Sequence, residues 1–238
     1  MKKLAALAAL GCAIPVTAFA APGMGGEVYG ATVDAGETEF EARYGALGGG
    51  PDDGEDVLKL EAAHAFTDRL RIGIVGEIEK EPGDKRRAEA VAIEAIYALG
   101  NAGGIDIAVY GEYEVALHGT DKVETKLLLQ RKTGPFDLRL NLIAEKELAD
   151  GAPVELGYAA SADVEAVGEV RLGLQAYGEL GTFKHFAPRA EHFIGPVAKF
   201  EIEGLGPEVG VQLGYLLALG KARDDTDGQF KLAFELEF

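Results

Sequence analysis

At the C-terminal end of the chain, Phe230, Leu232, Phe234, Leu236 and Phe238 alternate strictly with Lys231, Ala233, Glu235 and Glu237. A period of two is the signature of a β-strand whose two faces meet different surroundings. The same alternation recurs along the chain in about twelve segments: 38–47, 56–66, 70–81, 87–99, 105–117, 122–132, 136–147, 153–163, 168–179, 191–202, 208–219 and 229–238. Each is near the roughly 9–11 residues that a tilted strand needs to cross a bilayer.

Parity gives one consistent pair of faces. Leu70, Ile72, Ile74 and Ile78 oppose Arg71, Glu77 and Glu79; Ile105, Ile107, Val109, Tyr113 and Val115 oppose Asp106, Tyr110, Glu112 and Glu114. Phe136, Leu138, Leu140 and Leu142 oppose Asp137, Arg139, Asn141 and Glu145, and Val170, Leu172 and Leu174 oppose Arg171, Gln175, Tyr177 and Glu179. The charged exceptions on the apolar face (Lys80, Lys146, Arg131) lie near strand ends, where long side chains reach headgroups. Such faces fit hydrocarbon outside and an enclosed polar interior.

Short turns, such as 67–69 and 133–135, alternate with mostly longer loops, such as 48–55, 180–190 and 221–228. Both chain ends fall on the short-turn side, the up-and-down pattern of a closed membrane barrel. An even strand number removes the sheet edge, whose unpaired backbone groups lipid does not tolerate. Phe40, Phe66, Tyr97, Phe136, Phe200 and Phe238 then gather at one end of the apolar face as an interfacial girdle. The spacing predicts an all-β, antiparallel, up-and-down transmembrane β-barrel of about 12 strands, with ten or fourteen as the alternatives. Pro196 predicts a bulge or a later strand start. A soluble sandwich would share the alternation but has no reason for the terminal aromatic or the alternating connection lengths.

Lys2 and Lys3, the apolar run from Leu4 to Phe19, and the small residues Ala18 and Ala20 read as a secretory signal peptide over 1–20. Residues 21–37 are expected to form a periplasmic N-terminal arm, with 27–33 alternatively an extra strand, and 38–238 the barrel. Cys12 is the lone cysteine and goes with the leader, so no disulfide staples the exported chain. The net charge of −17 becomes −19 without Lys2 and Lys3, which argues against nucleic acid as a partner.

The leader, the alternation and the final Phe238 together resemble Gram-negative outer-membrane β-barrel proteins. More narrowly, Tyr29, Val33, Gly36, Glu37, Glu39 and Glu41 at their spacing resemble the N-terminal stretch of an uncharacterised proteobacterial outer-membrane protein group, as do the runs 177–181, Gly195-Pro196 and 214–220. The resemblance implies export by the general secretory route, residence in the outer membrane among lipid and lipopolysaccharide, and delivery to the assembly machinery through the strand ending at Phe238. It brings no activity and no functional residues.

Candidate chemistry therefore sits on the polar face. Glu77, Glu79, Glu112, Glu114 and Glu179, with Arg71, Arg139 and Arg171, are the lumen charges singled out, and carboxylates outnumber bases across that face. They either form a network that fills a closed interior or line a wet bore whose field favours cations. Lys184, His185, Arg189 and His192, with Phe183 and Phe186, make the 180–190 region a candidate mouth loop, or a loop facing lipopolysaccharide phosphates. The acidic runs 52–55 and 224–228 lack full calcium-loop spacing, and the four histidines lack metal-ligand spacing. Ser161 is the only serine and has no histidine near it in sequence. No catalytic residue, cofactor or metal is expected. The expectation is a passive porin-like channel for small hydrophilic solutes with a cation bias, or else a closed structural or interaction barrel that displays its loops.

Overall fold

The computed structural model describes residues 23–202 and 207–238; the expected leader over 1–20 lies outside them. Twelve strands are present among the described residues: β1 (Thr38–Gly48), β2 (Asp56–Ala65), β3 (Leu70–Lys80), β4 (Arg87–Ala102), β5 (Ile105–Ala116), β6 (Lys122–Thr133), β7 (Phe136–Glu147), β8 (Glu155–Val167), β9 (Val170–Thr182), β10 (Glu191–Ile202), β11 (Glu208–Gly220) and β12 (Gly228–Glu237). Each pairs antiparallel with its sequence neighbours, and β1 pairs with β12 to close the barrel. The closing seam runs from Glu39 opposite Glu237 to Gly48 opposite Gly228. Thr38 and Phe238 exchange backbone hydrogen bonds at 3.0 and 3.1 Å, so the last residue is stitched to the first strand.

The parity assignment is the observed one. Ile74, Ile93, Leu174, Leu217 and Phe234 are exposed on the outer surface, while Glu94, Asn141, Gln130 and Gln229 are fully enclosed. A soluble sandwich would show the reverse, so this inversion identifies a surface made for hydrocarbon. Phe40, Phe66, Tyr97, Phe136 and Phe238 lie exposed at the turn end, where Phe40 meets Phe238 edge-on at 6.1 Å. In outer-membrane barrels the short turns face the periplasm.

Pro196 produces neither a bulge nor a late start. The register between β10 and β11 is the same before and after it, with Ile194 opposite Leu217 and Val197 opposite Gly214. The pairing is simply missing at Gly195 and Pro196, where the proline has no N–H to give. Gly195 lets the β11 backbone come close, since a side chain there would collide with the Tyr215 carbonyl.

The stretch expected as a periplasmic arm does not extend away from the barrel, nor does it add a strand. From Gly36, whose N–H donates to the Ala65 carbonyl at 2.8 Å, the chain runs back into the lumen. Val28, Tyr29, Ala31 and Val33 are all buried there. The physical reason is that these apolar residues would meet water in the periplasm, whereas the lumen carries partners for both their side chains and their main chain.

Candidate functional site: the divided lumen

The N-terminal segment leaves the turn end along the β2–β6 wall and crosses to β1 and β12. Val33, Ala31 and Tyr29 pack on Ala65, Ile96, Ala108, Tyr110 and Leu128, all lumen-facing. Asn141 on β7 clasps Tyr29 at two points: its Oδ1 accepts from the Tyr29 N–H at 2.8 Å, and its amide donates to the Tyr29 carbonyl at 3.0 Å. Gln130 on β6 accepts from the Ala31 N–H at 2.9 Å. Arg139 donates to the Val28 carbonyl at 3.3 Å, and Lys231 on β12 donates to the Gly26 carbonyl. Side chains add to this: the Tyr29 hydroxyl donates to Glu94 at 3.1 Å, and Lys126 lies 4.5 Å over its ring.

Val28 then joins a transverse apolar layer with Ile143, Ala159, Tyr177, Phe193, Leu216 and Ala218. Tyr177 and Phe193 stack there at 5.2 Å. At β1 the fit depends on Gly45. A Cβ at that position would sit 2.7 Å from the Gly25 nitrogen and 3.0 Å from the Met24 Cβ, closer than non-bonded atoms tolerate.

The segment splits the lumen into two parts. Below it, towards the short turns, lies a cavity of about 370 Å³, roofed by Gly25–Val28 and lined by Arg139, Arg171, Lys199, Glu235 and Glu237 among others. Above it, Glu77, Glu79, Glu112, Glu114, Glu145 and Glu155 stay partly exposed, with Lys59 and Lys122 among them.

The singled-out charges all face the lumen, but few are free. Arg71 holds Glu39, Glu61 and Glu94 at 2.8, 2.7 and 3.1 Å. Glu77 pairs with Lys59 at 2.8 Å, and Glu114 approaches Lys122 at 3.8 Å. Glu112 accepts from the Tyr110 hydroxyl. Arg139 pairs with Asp137 at 3.0 Å, and Arg171 with Asp163 and Glu165. Glu179 keeps one enclosed carboxylate oxygen without a partner. Among the described residues, the carboxylates grouped tightly enough to hold a metal are Glu27, Glu41 and Glu61. The Arg43 guanidinium already contacts all three at 2.7–3.0 Å.

The mouth-loop residues do not converge. Lys184, His185 and Arg189 are exposed with Phe183 and Phe186, and Arg189 reaches Asp224 at 3.2 Å. His192 lies on the outer face of β10, 5.9 Å from the Tyr158 ring. Ser161 faces the lumen with its hydroxyl enclosed and unpartnered. His64 and His192 are on the outer face, while His118 and His185 are in exposed connections, so none of the four stands beside that serine.

Neither a family model nor a curated relative matches the sequence. Among solved structures, the chain is similar to a KdgM porin at 11% identity and TM-score 0.54, covering 84% of this chain and 98% of that one. It is also similar to the NanC porin at 10% identity, TM-score 0.58 and the same coverage, and to the COG4313 outer membrane channel from Pseudomonas putida at 12% identity, TM-score 0.60, covering 87% of this chain and 97% of that one. The fold is that of a Gram-negative outer-membrane β-barrel.

Sequence reasoning missed the contents of this outer-membrane barrel. Ile143, Phe193 and Leu216 occupy lumen-parity positions, and Val28, Tyr29 and Val33 precede the first strand. Apolar residues on the polar face, together with an apolar leader to β1, were the available signal for a filled interior.

Proposed function

We propose that this outer-membrane barrel is a passive porin-like channel for small hydrophilic solutes, with a bias to cations, and carries no enzymatic activity. One observation carries the reading: the lumen keeps a charge-lined cavity of about 370 Å³ on one side of the segment and, on the other, a carboxylate-rich half whose side chains stay partly exposed. Partly exposed charged side chains hold water around them, and a surplus of carboxylates raises the local concentration of cations. The likeness to solved porins supports the reading at the level of fold. Ser161, without a base beside it, supports the absence of hydrolysis.

The segment across the middle favours a second reading, a closed barrel that displays its loops. Planar-bilayer recording separates the two. Discrete current steps with a reversal potential on the cation side are expected. Silent bilayers from pure refolded protein would end the channel reading, and an anion-side reversal would end the cation bias. Glu77→Gln with Glu112→Gln should move the reversal potential towards zero. The partners in this reading are outer-membrane lipid and lipopolysaccharide, the assembly machinery that takes the strand ending at Phe238, and small solutes.

A further inference from the structure

We propose that the lumen wall carries a binding track for an extended polypeptide backbone, that residues 24–33 are its exchangeable intramolecular occupant, and that the vacated track binds short free peptides. The channel part of this rests on the function proposed above; the binding part does not.

The wall recognises main chain as well as side chain. Asn141 takes both the N–H and the carbonyl of Tyr29, the two-point pairing by which one β-strand reads another. Gln130 takes the N–H of Ala31, Arg139 the carbonyl of Val28, and Lys231 the carbonyl of Gly26. These contacts come from β6, β7 and β12, opposite walls of the closed sheet, so they span the bore. Any extended peptide presents the same N–H and carbonyl groups at the same repeat. Gly45 keeps the wall low where Met24 and Gly25 pass.

The occupant is held by contacts that can be exchanged. Its one covalent link to the wall is the short run 34–37 that leads into β1, and its hydrogen-bond partners are polar groups that water or another peptide can satisfy. That covalent tether gives it an effective concentration in the mM range, which a free peptide must overcome. Removing the occupant removes that competitor.

The test uses three refolded proteins: the full barrel, one lacking residues 24–33, and Gly45→Val. Valine suits a strand, and its side chain excludes Gly25 while leaving the β1 ladder intact. A fluorescently labelled synthetic peptide of residues 24–33 is titrated against each in detergent and followed by anisotropy. Saturable binding to the deletion protein is expected, with at least about tenfold weaker apparent binding to the full barrel, where the tether competes. Asn141→Ala in the deletion background should weaken it. Binding that is absent from the deletion protein, or unchanged by Asn141→Ala, overturns the track.

In bilayers, the deletion protein and Gly45→Val should both conduct several-fold more than the full barrel, and added peptide should block the deletion protein. Larger conductance without peptide block would overturn the track while leaving the channel. Peptide binding by a barrel that passes no current would leave the track and overturn the channel.

Discussion

At the scale of single residues, the lumen is held by shared rather than isolated charges. Arg71 serves three carboxylates on β1, β2 and β4 at once. Replacing it with Met leaves Glu94 enclosed without its counter-charge and Glu61 with Arg43 alone, a loss of about 3–5 kcal/mol for a broken buried pair. Loss of the heat-modifiable folded band at a lower temperature in detergent would show it. Tyr29 and Asn141 make a milder pair. Asn141→Ala strands the N–H and carbonyl of Tyr29, at a cost of about 1–3 kcal/mol. The effect falls on the segment rather than the barrel, so hydrogen exchange at 26–31 should quicken while the strands stay protected. Which lumen charges pair with which was not legible in the sequence. Parity places Glu61, Arg71 and Glu94 on one face, but only the strand register brings Arg71 between the two carboxylates.

At the scale of elements, the strands were legible because one physical rule, lipid on one side and polar groups on the other, acts on every one of them. The termini of β4 and β9 drifted by a few residues because hydrogen-bonded ladders run on into the turns. The N-terminal segment was not legible, because seven or so residues of mixed character fit an edge strand, an arm or a plug equally well; what decides is the match to Asn141 and Gln130 across more than a hundred positions of sequence and about a hundred, respectively. The connections at the loop end show a different economy. The 49–55 loop rests on 221–227, with the Asp52 N–H donating to Asp225 and Asp227 to Gly48. Burial, then the nearby Asp52 and Glu81, push the Glu55 carboxyl up to about 7. A carboxyl raised in the docked state favours docking while protonated. That contribution is full below its ordinary value near 4.5 and fades as pH climbs through 7. Hydrogen exchange at Asp52 and Asp227, corrected for base catalysis, should therefore be slower at pH 5 than at pH 8, and Glu55→Gln should remove the difference.

At the scale of the whole molecule, the inverted exterior makes a clean contrast between faces. Ile74→Arg puts a charge on the outer surface near mid-strand, where it should cost about 2–4 kcal/mol in a bilayer. Denaturant unfolding in lipid vesicles checks it, and the same change should matter much less in detergent micelles that deform around the side chain. The closing seam carries a consequence for biogenesis. Residue 39 must find residue 237, and residues 26 to 31 must find walls contributed by β6, β7 and β12. The segment ahead of β1 thus completes its contacts only after the last strand has arrived, so the sheet has to curl around a thread that is already waiting in its path.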